Sequence, residues 1–215
     1  MSVLMNRQAA LDDLVERFVM NQWITDLALI ESEYERRQAE IESAFLAAFD
    51  EACKQSAMLQ QTGGKGKAVY IYISLLRTQV MEGRAGYRIE VYDENWFMDR
   101  QDCAGVWEAD FIFQPLFARM EALKGQLGQY ARKVTVMDID QMIQLELITY
   151  HTLTIELLKE MVPRLLPRSE WFESMVRSDA LKILAGEYRD ASELLYHCRV
   201  TDENRQTQEL GADAL

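Results

Sequence analysis

The residues able to do chemistry in this chain are few and scattered. His151 and His197 are its only two histidines in 215 residues. A di-iron bundle would need a Glu three residues before each of two histidines, and neither has one. Glu193 and His197 stand four apart, with Asp190 in the same helical register. On a helix that spacing leaves room for one metal ion. It fits equally well an exposed acid–imidazole pair near a helix C-terminus, where a protonated imidazole is favoured. His151 lies among Thr149, Thr152 and Thr154, the setting of a hydrogen-bonded, partly buried histidine. The expectation is no metal site and no cofactor.

Nucleophiles are no better supported. Cys53, Cys103 and Cys198 lie far apart, and an odd, sparse set is neither a disulfide framework nor a zinc site. Reduced thiols in a cytoplasmic protein are the simplest reading. Asp102, next to Cys103, raises a thiol pKa rather than lowering it. No Gly-x-Ser-x-Gly elbow occurs. The loop Thr62-Gly-Gly-Lys-Gly-Lys67 has Gln61 where a phosphate-binding P-loop has Gly, and Ala68 where it has Ser or Thr. It also follows a helix and precedes a strand, the reverse of P-loop order, so it reads as a connector. No catalytic residue is expected.

The densest polar and aromatic stretch runs from Arg88 to Asp110. Together with the preceding strand it gives a candidate ligand or partner surface of Tyr70, Tyr72, Arg77, Arg88, Glu90, Tyr92 and Trp96, to which His151 is added from the central helix. Aromatic walls with a few fixed charges suit a small-molecule pocket. Trp, Tyr and Arg also anchor protein interfaces. A hairpin with one solvated face, its tryptophans capping the core, accounts for the same residues.

The elements that must position them are read from periodicity. Residues 1–61 contain no Gly and no Pro, and good helix formers dominate. An apolar seam of Trp23, Leu27, Ile30, Tyr34, Ile41, Ala44/Phe45 and Ala48 recurs at helical spacing, broken only at Arg37. The seam suits a bundle face or a coiled-coil dimer surface. Base rates disfavour so long a single helix, and a break is expected between Met20 and Thr25 or at Ser32. Val69–Ile73 is β-branched and aromatic, and Tyr87–Tyr92 alternates with period two, so a hairpin is predicted over 69–77 and 87–92. A third strand at Val134–Met137 is possible, as is a helix approach there. A helix after Val106–Phe113 takes Pro115 near its first turn. A central helix, apolar most of the way round, opens near Asp138 or Asp140 and stops at Pro163. Ser169 or Ser178 caps the next element, and a helix over 178–198 is expected to close the fold.

The fold class is therefore mainly α: a helical bundle with a small antiparallel β-hairpin and one long N-terminal helix or helix pair. The organisation is 1–61 as the N-terminal helical segment, 62–200 as a helical core with the hairpin near 69–92, and 201–215 as a polar tail expected to be disordered.

Composition bounds the role. Hydrophobic residues make up 49% and charged ones 27%, a globular balance. The N-terminus has no signal-peptide h-region, and the apolar runs are too short for a membrane span. The net charge of −12 is carried by both flanks around a near-neutral middle, so no basic stripe meets nucleic acid. The expectation is a cytoplasmic, non-enzymatic helical protein acting through protein–protein interaction or as a homodimer, with a regulatory role open. The alternative is a small-molecule sensor or enzyme with its site between hairpin and central helix, its arginines favouring an anionic ligand.

Overall fold

The computed structural model describes residues 6–130, 133–188 and 190–198. Helix α1 covers Arg7–Phe18, and α2 covers Gln22–Gln61. Asn6 caps α1 by accepting from the N–H of Ala9. The chain turns at Asn21, whose φ is +60°, within the first interval expected for a break. Ser32 is not a break. Arg37 leaves helical geometry instead, at φ −118° and ψ 18°, and its guanidinium bonds Glu33 and Glu40 across that kink. The apolar seam is buried in part: Ile30, Ile41, Phe45 and Ala48 are buried, Trp23, Leu27 and Tyr34 are half-buried, and Ala44 is exposed.

The chain divides into two compact units. One takes the described chain up to Ser43, Leu75–Gly86 and Glu108–Leu157; the other takes Ala44–Ser74, Tyr87–Trp107 and the chain from Leu158 onward. The first is helical. Besides α1 and the first half of α2 it holds α3 (Arg77–Met81), α4 (Asp110–Gln126) and most of α5 (Val136–Leu165). Asp138 ties down the start of α5, its carboxylate reaching back to accept from both the N–H and the hydroxyl of Thr135. Val134–Met137 is thus a helix entry and not a third strand. Pro115 lies in the second turn of α4, and α5 carries Pro163 inside and runs on to Leu165.

The second unit is built on a sheet of five strands in the order β3-β2-β1-β4-β5: β1 (Ala68–Leu75), β2 (Gly86–Tyr92), β3 (Ala104–Glu108), β4 (Arg177–Glu187) and β5 (Ser192–His197). Hydrogen bonds at strand ends fix the directions. Leu76 N–H donates to Gly86 O (2.9 Å) and Val91 N–H to Cys103 O (3.0 Å), so β1, β2 and β3 form an antiparallel meander. Ala68 N–H donates to Val176 O (3.0 Å), placing the starts of β1 and β4 side by side and making that pair parallel. β4 and β5 pair antiparallel, with an irregularity between Ile183 and Leu184. The mostly helical expectation holds in outline, but the small hairpin is corrected to a mixed sheet.

The largest correction is the closing helix over 178–198, which is β4 and β5. Its Leu, Ala, Lys and Glu residues favour a helix locally. Leu181, Ile183 and Ala185 also alternate, however, and all three are fully buried on one face. The open edge of β1 supplies backbone partners, and tertiary context overrides propensity. The short helix α6 (Glu170–Ser174) precedes them, capped by Ser169, whose hydroxyl accepts from Phe172 N–H. Ser178 caps nothing and lies in β4.

One face of the sheet packs on the second half of α2. Phe45 meets Trp107 edge-on at 5.4 Å, and Phe49 meets Phe172 at 5.7 Å. Ile71, Ile73, Tyr87, Ile89 and Val91 lie on that side, each almost wholly buried. No helix of the described residues is long and apolar enough to cross a membrane. The polar tail lies outside the described residues.

Candidate functional site

Strand alternation sends Tyr70 and Tyr72 of β1, and Arg88, Glu90 and Tyr92 of β2, to the opposite face of the sheet. The loop after β2 folds over that face. It contains one turn of 3₁₀-helix, Trp96–Met98, with Trp96 at φ +54°. The result is an aromatic cluster: Trp96 stacks on Tyr70 (5.1 Å), Phe97 meets Tyr72 (5.3 Å), and Tyr92 meets Phe97 edge-on (5.4 Å). Such pairs add to the area they bury. Trp96 keeps 42% of its surface exposed and Met98 keeps 84%.

A buried ion pair anchors the loop. Lys65 Nζ donates to Asp99 Oδ2, with both side chains almost wholly buried. The same oxygen accepts from Asp93 N–H, while Oδ1 accepts from Gln101 N–H (2.9 Å). Burial pushes the Asp99 carboxyl up, but the Lys65 ammonium and the two backbone N–H groups outweigh it and hold it below the usual carboxylate range. Asp93 in turn accepts from Asn95 N–H (2.8 Å) and from Gly66 N–H (3.3 Å). Gly66 lets the chain approach this loop closely, since a Cβ there would lie 3.2 Å from Glu94 Oε2 and 3.4 Å from Asp93 Cβ. Burial also pushes the Cys103 thiol up, so it is not a ready thiolate.

Beside this loop lies a polar cavity of about 230 Å³, lined by β2 residues Arg88, Glu90 and Tyr92, by the segment Asp99–Cys103, and by Tyr188. Arg88 spans it, its Nε 3.0 Å from Glu90 Oε1 and its Nη2 2.5 Å from Asp102 Oδ1. Burial acts to lower the Arg88 pKa, but these two carboxylates outweigh it and keep the guanidinium charged.

The helical unit holds a second ionic cluster, which joins α2, α4 and α5. Arg119 donates to Asp26, to Glu146 (3.3 Å) and to the Tyr150 hydroxyl (3.0 Å), and Tyr150 donates to Asp26. Burial, with Asp26 adding to it, raises the Glu146 carboxyl above its ordinary value against the pull of Arg119. Nothing in the sequence marked these residues, because they come together only when three helices pack.

Of the candidate residues, Tyr70, Tyr72, Arg88, Glu90, Tyr92 and Trp96 share the sheet unit and are brought together there. Arg77 and His151 fall in the helical unit, Arg77 exposed at the start of α3 and His151 buried in α5. Glu193 and His197 lie on β5 rather than on a helix, and Glu193 pairs with Lys159 (2.6 Å). Phe97, Lys65 and Tyr188 were not singled out from sequence. The lysine set between glycines in 63–66 was the one available signal. Among the described residues no group of three or more His, Cys, Asp or Glu side chains could hold a metal ion. Comparison of the chain with protein-family models, with curated proteins and with solved structures gives no match.

Proposed function

We propose that this protein acts through protein–protein contact, joining a second copy of itself along α5. The observation that carries this is a stripe on that helix. Met137, Gln141, Leu145, Ile148 and Thr152 recur at steps of four and three and are all exposed, Leu145 to 69% and Ile148 to 57%. These five exposed positions carry no charge over about 22 Å at 1.5 Å per residue. An ordinary surface helix presents charged residues there. Exposed apolar surface of this kind marks interaction sites.

A second copy suits the stripe because a two-fold contact sets the same patch against itself. Charges of one sign would then face each other, and this patch has none. Within its span Asp138 and Glu146 are buried and Asp140 is half-buried to one side, and the exposed acids Glu156 and Glu160 lie beyond it.

Light scattering tests the proposal. The expected mass is near twice 25.0 kDa at high protein concentration. Leu145→Lys combined with Ile148→Lys is expected to return the mass to that of one chain with the circular dichroism unchanged. A wild-type chain that stays monomeric, or a double variant that still pairs, overturns it.

A further inference from the structure

Within the helical unit, α2 and α4 enclose a groove between them. Arg119 of α4 bonds Asp26 of α2, and Phe111 of α4 stacks on Tyr34 of α2 at 6.1 Å, so the two helices run antiparallel. Leu29, Phe111, Pro115 and Ala118 give the groove its apolar lining, and its volume is about 500 Å³. That is inside the ~300–1,000 Å³ range of small-molecule sites.

The groove is charged at one end only. The antiparallel register sets Leu29 near Pro115 and Ala118, and Glu33 and Arg37 toward the start of α4, where Asp110 stands. Glu33 is held by Arg36 and Arg37, and Arg37 also by Glu40, so these four charges cancel. Asp110 is left over. One of its oxygens accepts from Ala85 N–H (2.6 Å), and it makes no ion pair among the described residues. It is half-buried, so it is not sealed off from a ligand in the groove. An apolar lining that ends at one unbalanced carboxylate fits an amphipathic molecule with a cationic N–H donor. The chain's net charge of −12 draws in the same sign.

We propose that this groove binds a small organic monocation, its ammonium at Asp110 and its apolar body along Leu29, Pro115 and Ala118. The site uses no residue of the α5 stripe and does not depend on self-association there.

Ligand-detected NMR titration of the full chain with n-hexylamine tests this. Methylamine keeps the charge without the apolar body, and hexanoate keeps the body with the charge reversed. Hexylamine is expected to bind saturably. Methylamine is expected to bind at least about tenfold more weakly, because the buried methylenes are gone, and hexanoate at least about tenfold more weakly, because its charge opposes Asp110. Asp110→Asn keeps an acceptor for Ala85 N–H and removes the charge. It is expected to weaken hexylamine by about three- to tenfold. Leu29→Ala truncates a side chain that is 58% exposed, so it spares the core, and is expected to weaken hexylamine by about threefold or more. Met98→Ala, in the sheet unit, is expected to leave the affinity unchanged. The proposal is overturned if hexylamine does not bind, if methylamine or hexanoate binds as well as hexylamine, or if either groove variant keeps wild-type affinity.

Discussion

At the scale of single residues, buried charge decides the pH behaviour, and two carboxyls pull in opposite directions. Asp99 has a folded pKa below its ordinary 3.8, so its ionised form stabilises the fold above that value. The contribution is lost as pH falls through the lower folded value. Lys65→Met removes the cation and leaves the carboxylate buried among backbone donors, where burial now raises its pKa. Breaking a buried pair in this way costs about 3–5 kcal/mol. The variant is expected to melt earlier at neutral pH and to unfold in acid at a higher pH than wild type, as read by circular dichroism across a pH series. An unchanged acid midpoint would remove the pair from the account of stability. Glu146 is the reverse case. Its folded pKa is raised above 4.5, so the stability linked to it is present below that value and lost as pH rises through the folded value. Glu146→Gln is therefore expected to raise the melting temperature at neutral pH and to give no gain below about pH 4. A gain of equal size at both pH values would sink this assignment.

At the scale of elements, the contact of α2 with the sheet depends on one missing side chain. A Cβ on Gly105 of β3 would lie 2.0 Å from the Ala48 carbonyl oxygen, a backbone atom of α2. Neither helix nor strand can yield such a distance without separating. Gly105→Ala is expected to destabilise the sheet unit by about 1–3 kcal/mol, in the manner of an overpacked core, with the loss read by urea unfolding. Gly83→Ala makes the comparison: φ there is +76°, but nothing stands within 4 Å of the added atom, so only backbone strain is added. If Gly105→Ala proves no worse than Gly83→Ala, close approach is not what fixes glycine in β3. The strands themselves differ in legibility. β1 is rich in aromatic and β-branched residues and β2 alternates with period two, so both were visible from sequence. β3 is only five residues long, and its Gly105 and Trp107 give too short an alternation to register. β4 reads as a helix because its residue types suit one.

At the scale of the whole molecule, charge opposes the proposed association. Two chains of −12 repel each other, and salt screens that repulsion over about 8–10 Å at physiological strength. A contact made through the uncharged stripe of α5 is therefore expected to strengthen as sodium chloride rises, with the dimer fraction in analytical ultracentrifugation increasing. Dissociation by salt would instead indicate a contact held by ion pairs, and the α5 stripe would not be its seat.

By itself the sequence determined the local choices. Helix formers without Gly or Pro made α2, β-branched and aromatic composition made β1, alternation made β2, Ser169 stood as one of two candidate caps, and Tyr70, Tyr72, Arg88, Glu90, Tyr92 and Trp96 stood out as a polar and aromatic group. These are effects of near neighbours along the chain, and period and capping reveal them. Only the tertiary structure decided that β4 would lie parallel to β1 and that Lys65 would be buried on Asp99. The same holds for the meeting of Asp26, Arg119 and Glu146. Those outcomes depend on backbone edges and desolvated charges brought together from distant segments, and no spacing in the chain encodes which of them will meet.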